Sequence, residues 1–114
     1  TKTNYIVNLK EPAHWCGIHI NNKKAYWFNS FSELMPIPKE VLQFFKRCGC
    51  TMYYDSDKPV QLTSTGYCGE FVLDWLLFMN RRGHSSTDNF EAFLRHLNST
   101  KKDVMSYKIR HLIN

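Results

Sequence analysis

Four polar side chains of this 114-residue chain have the types and the order that nucleophilic catalysis by cysteine requires. Cys68 supplies a thiol, and His14 supplies an imidazole that can take the thiol proton and so generate the reactive thiolate. Asn29 offers a side-chain carbonyl that can hold the imidazole in one tautomer, and Gln61 offers an amide donor for an oxyanion. The chemistry expected of this set is acyl transfer through a covalent acyl-enzyme.

The sequence around Cys68 predicts that its thiol lies on the first turn of a helix. A polar, glycine-containing stretch precedes it, and the apolar residues after it recur with a helical period. Because free N–H groups and the helix macrodipole favour an anion there, thiolates are stabilised at such positions. The helix is apolar on nearly all sides, so we expect it to be buried at the centre of the domain. Its main apolar face comprises Phe71, Val72, Trp75, Leu76 and Met79.

A β-hairpin is predicted to bring His14 and Asn29 together. Alternating segments from His14 to Ile20 and from Ala25 to Asn29 predict two strands joined by a polar turn. If Ile20 pairs with Ala25, His14 lies opposite residue 31, and Asn29 comes within about a residue or two of it. The His14 ring nitrogen and the Asn29 side-chain amide would then lie at the same edge of the sheet.

The remaining segments predict a single α+β domain with a mixed sheet. A strand, a helix and a second strand in the middle of the chain form a crossover unit, which implies a parallel pair. We therefore predict that the sheet packs around the central helix that carries the cysteine at its N-terminus, with further helices on the flanks. The additional predicted elements are a strand over 5–9, a helix over 39–47, a strand over 50–54 and helices over 88–97 and 101–113.

Composition and charge limit the classes of function. The hydrophobic content of 43% indicates a packed globular domain, and no run of about 20 apolar residues is present to span a membrane. The formal net charge of +5 allows a nucleic-acid or acidic partner. Because the lysines and arginines are scattered along the chain, solubility explains the charge equally well.

The cysteines predict neither disulfides nor a metal site. A chain with this hydrophobic content does not need disulfide bonds, so Cys16, Cys48, Cys50 and Cys68 are interpreted as reduced thiols of an intracellular protein. Cys48 and Cys50 have one residue between them, fewer than structural zinc sites use, and no second pair follows at the required spacing. Cys16 is expected in the core, and His19, His84, His96 and His111 are expected at the surface.

The order His, Asn, Gln, Cys and its local sequence resemble the adenain-type cysteine peptidases. The resemblance spans residues 5 to about 80. It is carried by His14-Trp15 at the start of a strand, the segment YWFNSF at 26–31, Gln61, and Cys68-Gly69 at the head of an apolar helix. This family includes the adenovirus maturation protease, capsid proteases of large DNA viruses, virophages and Polinton-type transposons, and cellular proteases that process SUMO and other ubiquitin-like modifiers.

The resemblance implies a role for five residues. It makes His14 the base, Asn29 the third member of the triad, Gln61 part of the oxyanion hole and Cys68 the nucleophile, with Trp15 as the aromatic substrate contact beside the histidine. Family members usually carry Asp or Glu where Asn29 stands, and a neutral amide can orient the imidazole without a full charge. Members are also commonly longer, so residues 1–114 are expected to be a minimal or N-terminally trimmed cysteine peptidase domain.

Within the family we favour the viral or transposon branch, because the chain is compact and lacks extra surface for gripping a folded modifier. The resemblance then implies a monomeric endopeptidase that cleaves capsid or core precursors at small-residue, Gly-containing sites. It would act in the host cytoplasm or nucleus and in the virion, with no membrane association. No cofactor is expected, and the need for an activating DNA or peptide stays open. The alternative within the fold is a protease that removes SUMO or ubiquitin.

Other functions stay open at this point. Taken singly, His14 is more often a structural strand residue, and Cys68 is more often a small buried hydrophobe. A catalytically inactive binding domain, a basic nucleic-acid-binding module and an acyltransferase that uses the same Cys and His are the rival interpretations.

Overall fold

The computed structural model describes residues 2–10, 13–29, 36–56, 68–97 and 107–112. The described strands form one five-stranded sheet in the order β1-β2-β3-β4-β5, and three helices accompany it. This confirms the predicted α+β class with a mixed sheet. In chain order the elements are β1 (Thr3–Lys10), β2 (Ala13–Asn21), β3 (Lys24–Phe28), α1 (Lys39–Arg47), β4 (Met52–Ser56), α2 (Cys68–Met79), α3 (Ser86–Leu97) and β5 (Tyr107–His111). Within these ranges no helix is long and apolar enough to cross a membrane.

The β2–β3 hairpin has the predicted register. Ile20 pairs with Ala25, and the antiparallel ladder continues as far as Gly17 and Phe28. The two turn residues, Asn22 and Lys23, have φ values of 52° and 64°. Positive φ at both central positions defines the type of turn whose twist matches that of the strands it joins.

The predicted crossover unit is also confirmed. β3 and β4 pair in parallel, and α1, which connects them, has the predicted bounds of Lys39–Arg47. The helix ends because Gly49 adopts a φ of 79°. There the N–H of Gly49 donates to the Lys46 carbonyl and the N–H of Cys50 donates to the Phe45 carbonyl, both at 3.0 Å. This pair of bonds is the Schellman motif, which satisfies carbonyls at a helix end.

The C-terminal region, which contains α3 and β5, differs from the sequence prediction. The helix over 88–97 is confirmed as Ser86–Leu97, and the Ser85 hydroxyl caps it by accepting the N–H of Asp88 at 3.0 Å. The second predicted helix, over 101–113, is wrong at its C-terminal half, because Tyr107–His111 pairs antiparallel with β4. Residues 101–106 lie outside the described residues. Pairing with an open sheet edge outweighs the weak helical spacing of this short segment.

The sheet is covered on both faces. Helix α1 packs on one face, and α2 and α3 pack on the other. The α1 side buries Cys16, Ile18, Ile20, Ala25, Trp27, Val41, Phe45, Cys50 and Tyr53. The opposite side buries Tyr26, Phe28, Tyr54, Val72, Trp75, Met79, Phe90, Phe93 and Leu94.

Helix α2 is not buried on all sides, contrary to the expectation from its composition. Val72, Trp75 and Met79 are fully buried, whereas Leu73 is 54% and Leu77 is 74% exposed. The helix therefore covers one face of the sheet and presents its opposite side outward.

A close contact between Gly17 of β2 and Trp75 fixes how near α2 lies to the sheet. A Cβ atom built on Gly17 would be 2.7 Å from two carbons of the Trp75 ring and 3.2 Å from Val72. Trp75 stacks on Phe28 at 5.4 Å between centroids, so the ring has neighbours on other sides as well. Only glycine allows the helix to approach this closely.

We expect Gly17→Ala to lower the free energy of unfolding by about 1–3 kcal/mol, because the added methyl group overlaps a ring that cannot move freely. Chemical denaturation measures this change. A double-mutant cycle with Trp75→Leu is the control, since the smaller side chain should accept the methyl group and reduce the cost of Gly17→Ala. Equal cost in both backgrounds would contradict the contact.

Candidate functional site

The structure brings His14 and Asn29 into direct contact. Nε2 of His14 lies 2.6 Å from Oδ1 of Asn29, and each side chain is only 1% exposed. His14 lies near the start of β2, and Asn29 directly follows the last residue of β3. The hairpin register therefore produces the contact, since it sets the start of one strand beside the end of the other.

The partner decides the tautomer of the His14 ring. An amide oxygen can only accept a hydrogen bond, so Nε2 carries the proton and donates it to Oδ1. In the neutral imidazole the other nitrogen, Nδ1, then holds the basic lone pair. A buried Nε2–H···O bond also fixes the plane of the ring. The arrangement can therefore hold a base in one orientation.

The other predicted site residues are described in part or not at all. Cys68 is the first residue of α2, and its side chain is outside the described set. Gln61 lies outside the described residues altogether. Trp15 follows the buried His14 on β2 and is 43% exposed, so part of its ring lies in solvent.

The other three cysteines are not in disulfide bonds. Cys16 and Cys50 are buried in the core, and Cys48 is exposed at the end of α1. Burial, and then the neighbouring Cys48, raise the pKa of the Cys50 thiol, which disfavours its thiolate. No cluster of three or more metal-ligating side chains occurs among the residues that the structure describes.

A second buried histidine, His19, was wrongly predicted to lie at the surface. It is 0% exposed. Its Nδ1 lies 2.7 Å from the Asn4 amide oxygen and therefore donates to it, so the Ser86 hydroxyl donates to Nε2 at 2.9 Å. Asn80 donates to the same Asn4 oxygen at 3.0 Å, and Asn21 donates to the Ser86 hydroxyl at 3.1 Å.

The His19 network joins four elements at one end of the molecule. Its members come from β1, β2, the residue after α2 and the start of α3. Ser86, His19 and Asn4 are residue types that occur in catalytic triads. Ser86 is only 3% exposed, however, so its hydroxyl cannot contact a substrate.

Burial favours the neutral form of His19. Burial, and then the positive charge of Lys2, lower the pKa of His19 from 6.5 to about 4. The unfolded chain therefore binds a proton between about pH 6.5 and pH 4 that the folded chain does not bind. The contribution of neutral His19 to the free energy of unfolding is fully present above pH 6.5, and it decreases as the pH falls from 6.5 to about 4.

We expect the wild type to lose on the order of 2 kcal/mol more stability than His19→Gln between pH 7 and pH 4. Both proteins carry the same carboxylates, so the difference isolates the histidine. Urea unfolding at a series of pH values measures it. Identical pH slopes in the two proteins would contradict a buried neutral His19.

No protein-family model matches this chain, and neither a curated protein nor a solved structure matches it.

Proposed function

We propose that the protein is a cysteine endopeptidase of the adenain type. Cys68 is the nucleophile, His14 the base, Asn29 the residue that orients the base, and Gln61 a donor in the oxyanion hole. The observation that supports this most strongly is the buried 2.6 Å contact between His14 Nε2 and Asn29 Oδ1. A histidine whose far nitrogen is held by an amide oxygen is prepared to accept a proton at the other nitrogen.

The direction of α2 gives further support. Trp75 lies against Gly17, and Asn80, just after the helix, bonds to Asn4, which pairs with His19. The helix therefore runs alongside β2 in the same direction. Cys68 lies about 10 Å from Trp75 along the helix axis, toward the N-terminus. His14 lies about 10 Å from Gly17 along β2, in the same direction. The start of α2 is thus expected at the level of His14.

The proposed reaction proceeds in two steps. Nδ1 of His14 takes the Cys68 proton, and the thiolate attacks the scissile carbonyl carbon. The backbone N–H of Cys68 and the Gln61 side chain bind the oxyanion. The imidazolium then gives its proton to the leaving amine, the C–N bond breaks and a thioester remains. Water, deprotonated by His14, hydrolyses this thioester and frees the thiol.

Asn29 and Trp15 have supporting roles in this proposal. Asn29 accepts the Nε2–H bond throughout and so keeps the imidazole in one plane. The exposed ring of Trp15 is a suitable contact for an extended backbone with small side chains, which agrees with the Gly-containing sites that the resemblance implies. Precursors of viral or transposon capsids are the proposed substrates.

We expect the protein to hydrolyse internally quenched, Gly-containing peptides, and Cys68→Ala and His14→Ala to remove at least about three orders of magnitude in kcat/KM. Cys48→Ala and His84→Ala are matched controls, because each removes an exposed side chain of the same type. Hydrolysis that survives in Cys68→Ala would contradict the proposal, as would a folded wild type that cleaves none of these peptides.

Asn29→Asp should shift the alkaline limb of the kcat/KM profile to higher pH by about a unit or more, because a carboxylate stabilises the imidazolium. Asn29→Ala should lower kcat at all pH values without this shift, since it removes the orienting oxygen and adds no charge. Profiles of both variants against wild type measure the effect. Unchanged profiles would mean that residue 29 does not act on the catalytic histidine.

A further inference from the structure

β1 forms one edge of the sheet and lacks the features that usually keep an edge strand from pairing. It is the first strand in the sheet order, and among the described strands it pairs only with β2. Edge strands of soluble proteins commonly carry charged side chains or proline, which discourage pairing with another chain. Residues 3–9, with the sequence TNYIVNL, contain neither, and the only charge in the strand belongs to its last residue, Lys10. This edge is therefore open to another strand.

The hairpin register decides which backbone groups of β1 point outward. The two-residue turn makes Asn21 and Lys24 a hydrogen-bonded pair, and such pairs alternate along an antiparallel ladder. Ile18 therefore directs its backbone groups to β1, where its partner is Tyr5. The N–H and C=O of the next residue, Ile6, then point away from the sheet. The residues of β1 whose backbone groups point outward are Asn4, Ile6 and Asn8.

Exposed apolar side chains lie beside this edge on the face that α2 covers. Ile6 pairs with Gly17, which contacts Trp75, so the Ile6 side chain is on this face. Asn80 bonds to β1, and Leu73 and Leu77 precede it at the spacing that puts residues on the same side of a helix. Ile6 is 50%, Leu73 is 54% and Leu77 is 74% exposed. An apolar cluster next to an open edge is typical of an interface.

The sequence of the edge is nearly symmetric about Ile6. Residues 4–8 read NYIVN. In an antiparallel pair centred on Ile6, Asn4 lies opposite Asn8 of a second copy, and Tyr5 lies opposite Val7. Amide thus meets amide, and apolar side chain meets apolar side chain. A twofold contact requires a patch that is complementary to itself, and this strand meets that requirement.

We propose that two copies of this chain associate through β1, which pairs antiparallel with itself about a twofold axis at Ile6 and joins the two sheets into one. The axis is perpendicular to the sheet, so both copies of α2 lie on the same face, where Leu73 and Leu77 cover the two Ile6 side chains. On the other face, Tyr5 packs beside a groove of about 280 Å³ that is lined mainly by apolar side chains of β1 and α1. The proposal departs from the monomer that the family resemblance implies, and it does not depend on the proposed catalysis.

Sedimentation equilibrium of the 114-residue chain from about 1 to 500 µM tests this proposal. The mass should rise from 13.5 kDa toward twice this value. Because each copy carries a net charge of +5, added salt should strengthen the association by screening the repulsion.

Ile6→Lys sets two like charges opposite each other at the axis, and it should lower the association constant at least about tenfold. The matched control is Ile109→Lys, because Ile109 is 49% exposed on the other edge strand. Its association constant should change less than about twofold. Thermal unfolding followed by circular dichroism verifies that both variants are folded.

Disulfide formation tests the register in a Cys48→Ala background. Tyr5 and Val7 of the second copy form a non-hydrogen-bonded pair, whose Cα separation of about 4.5 Å suits a disulfide. A mixture of Tyr5→Cys and Val7→Cys proteins, oxidised with glutathione disulfide, should yield a covalent dimer joined through the two introduced cysteines. Each protein alone should yield at least about tenfold less of it, and peptide mapping identifies the bond.

Four results would overturn the proposal. They are a wild type that stays monomeric over the whole concentration range, growth beyond two copies, equal losses in the two lysine variants, and a mixture that cross-links no better than either protein alone. Growth beyond two copies would indicate a contact that does not close, whereas a twofold contact ends at the dimer.

Discussion

The hydrogen bond between His14 and Asn29 depends on the register of a single hairpin. Ile20 pairs with Ala25, and this pairing sets the start of β2 beside the end of β3, where the two side chains meet at 2.6 Å. A slip of one residue would turn every side chain of β3 to the other face of the sheet. Because both faces are covered by helices, such a slip would move Trp27 into the core on the α2 side and Phe28 into the core on the α1 side, where neither ring fits the space. The apolar core therefore protects the geometry of the polar pair.

Helix α2 is positioned at two points along β2. In its middle, Trp75 fills the space that Gly17 leaves open, and just beyond its C-terminus Asn80 joins the network around His19. The first contact is apolar and close, and the second is polar and directional. Together they set both the distance and the direction of the helix. The N-terminus of the helix therefore points toward the end of β2 that carries His14.

Patterns among residues close in sequence predicted many elements of the fold. The hairpin, α1 with its glycine stop, the parallel crossover and α3 were all predicted, since each depends on residues close in sequence. The errors concern long-range contacts. Tyr107–His111 is a strand because β4 offers an edge, and His19 is buried because Asn4 and Ser86 satisfy both ring nitrogens. The contact of His14 with Asn29 was predictable from the register of the hairpin.

The most direct test of the proposed cysteine–histidine pair is the pH dependence of iodoacetamide alkylation at each of the four cysteines, followed by peptide mapping in wild type and His14→Ala. Cys16 and Cys50 are buried and Cys48 is exposed, so they provide internal references within one protein. We predict that Cys68 alone reacts rapidly near pH 6 and loses this advantage when His14 is absent. A Cys68 that reacts like Cys48 across the pH range, with or without His14, would contradict the account.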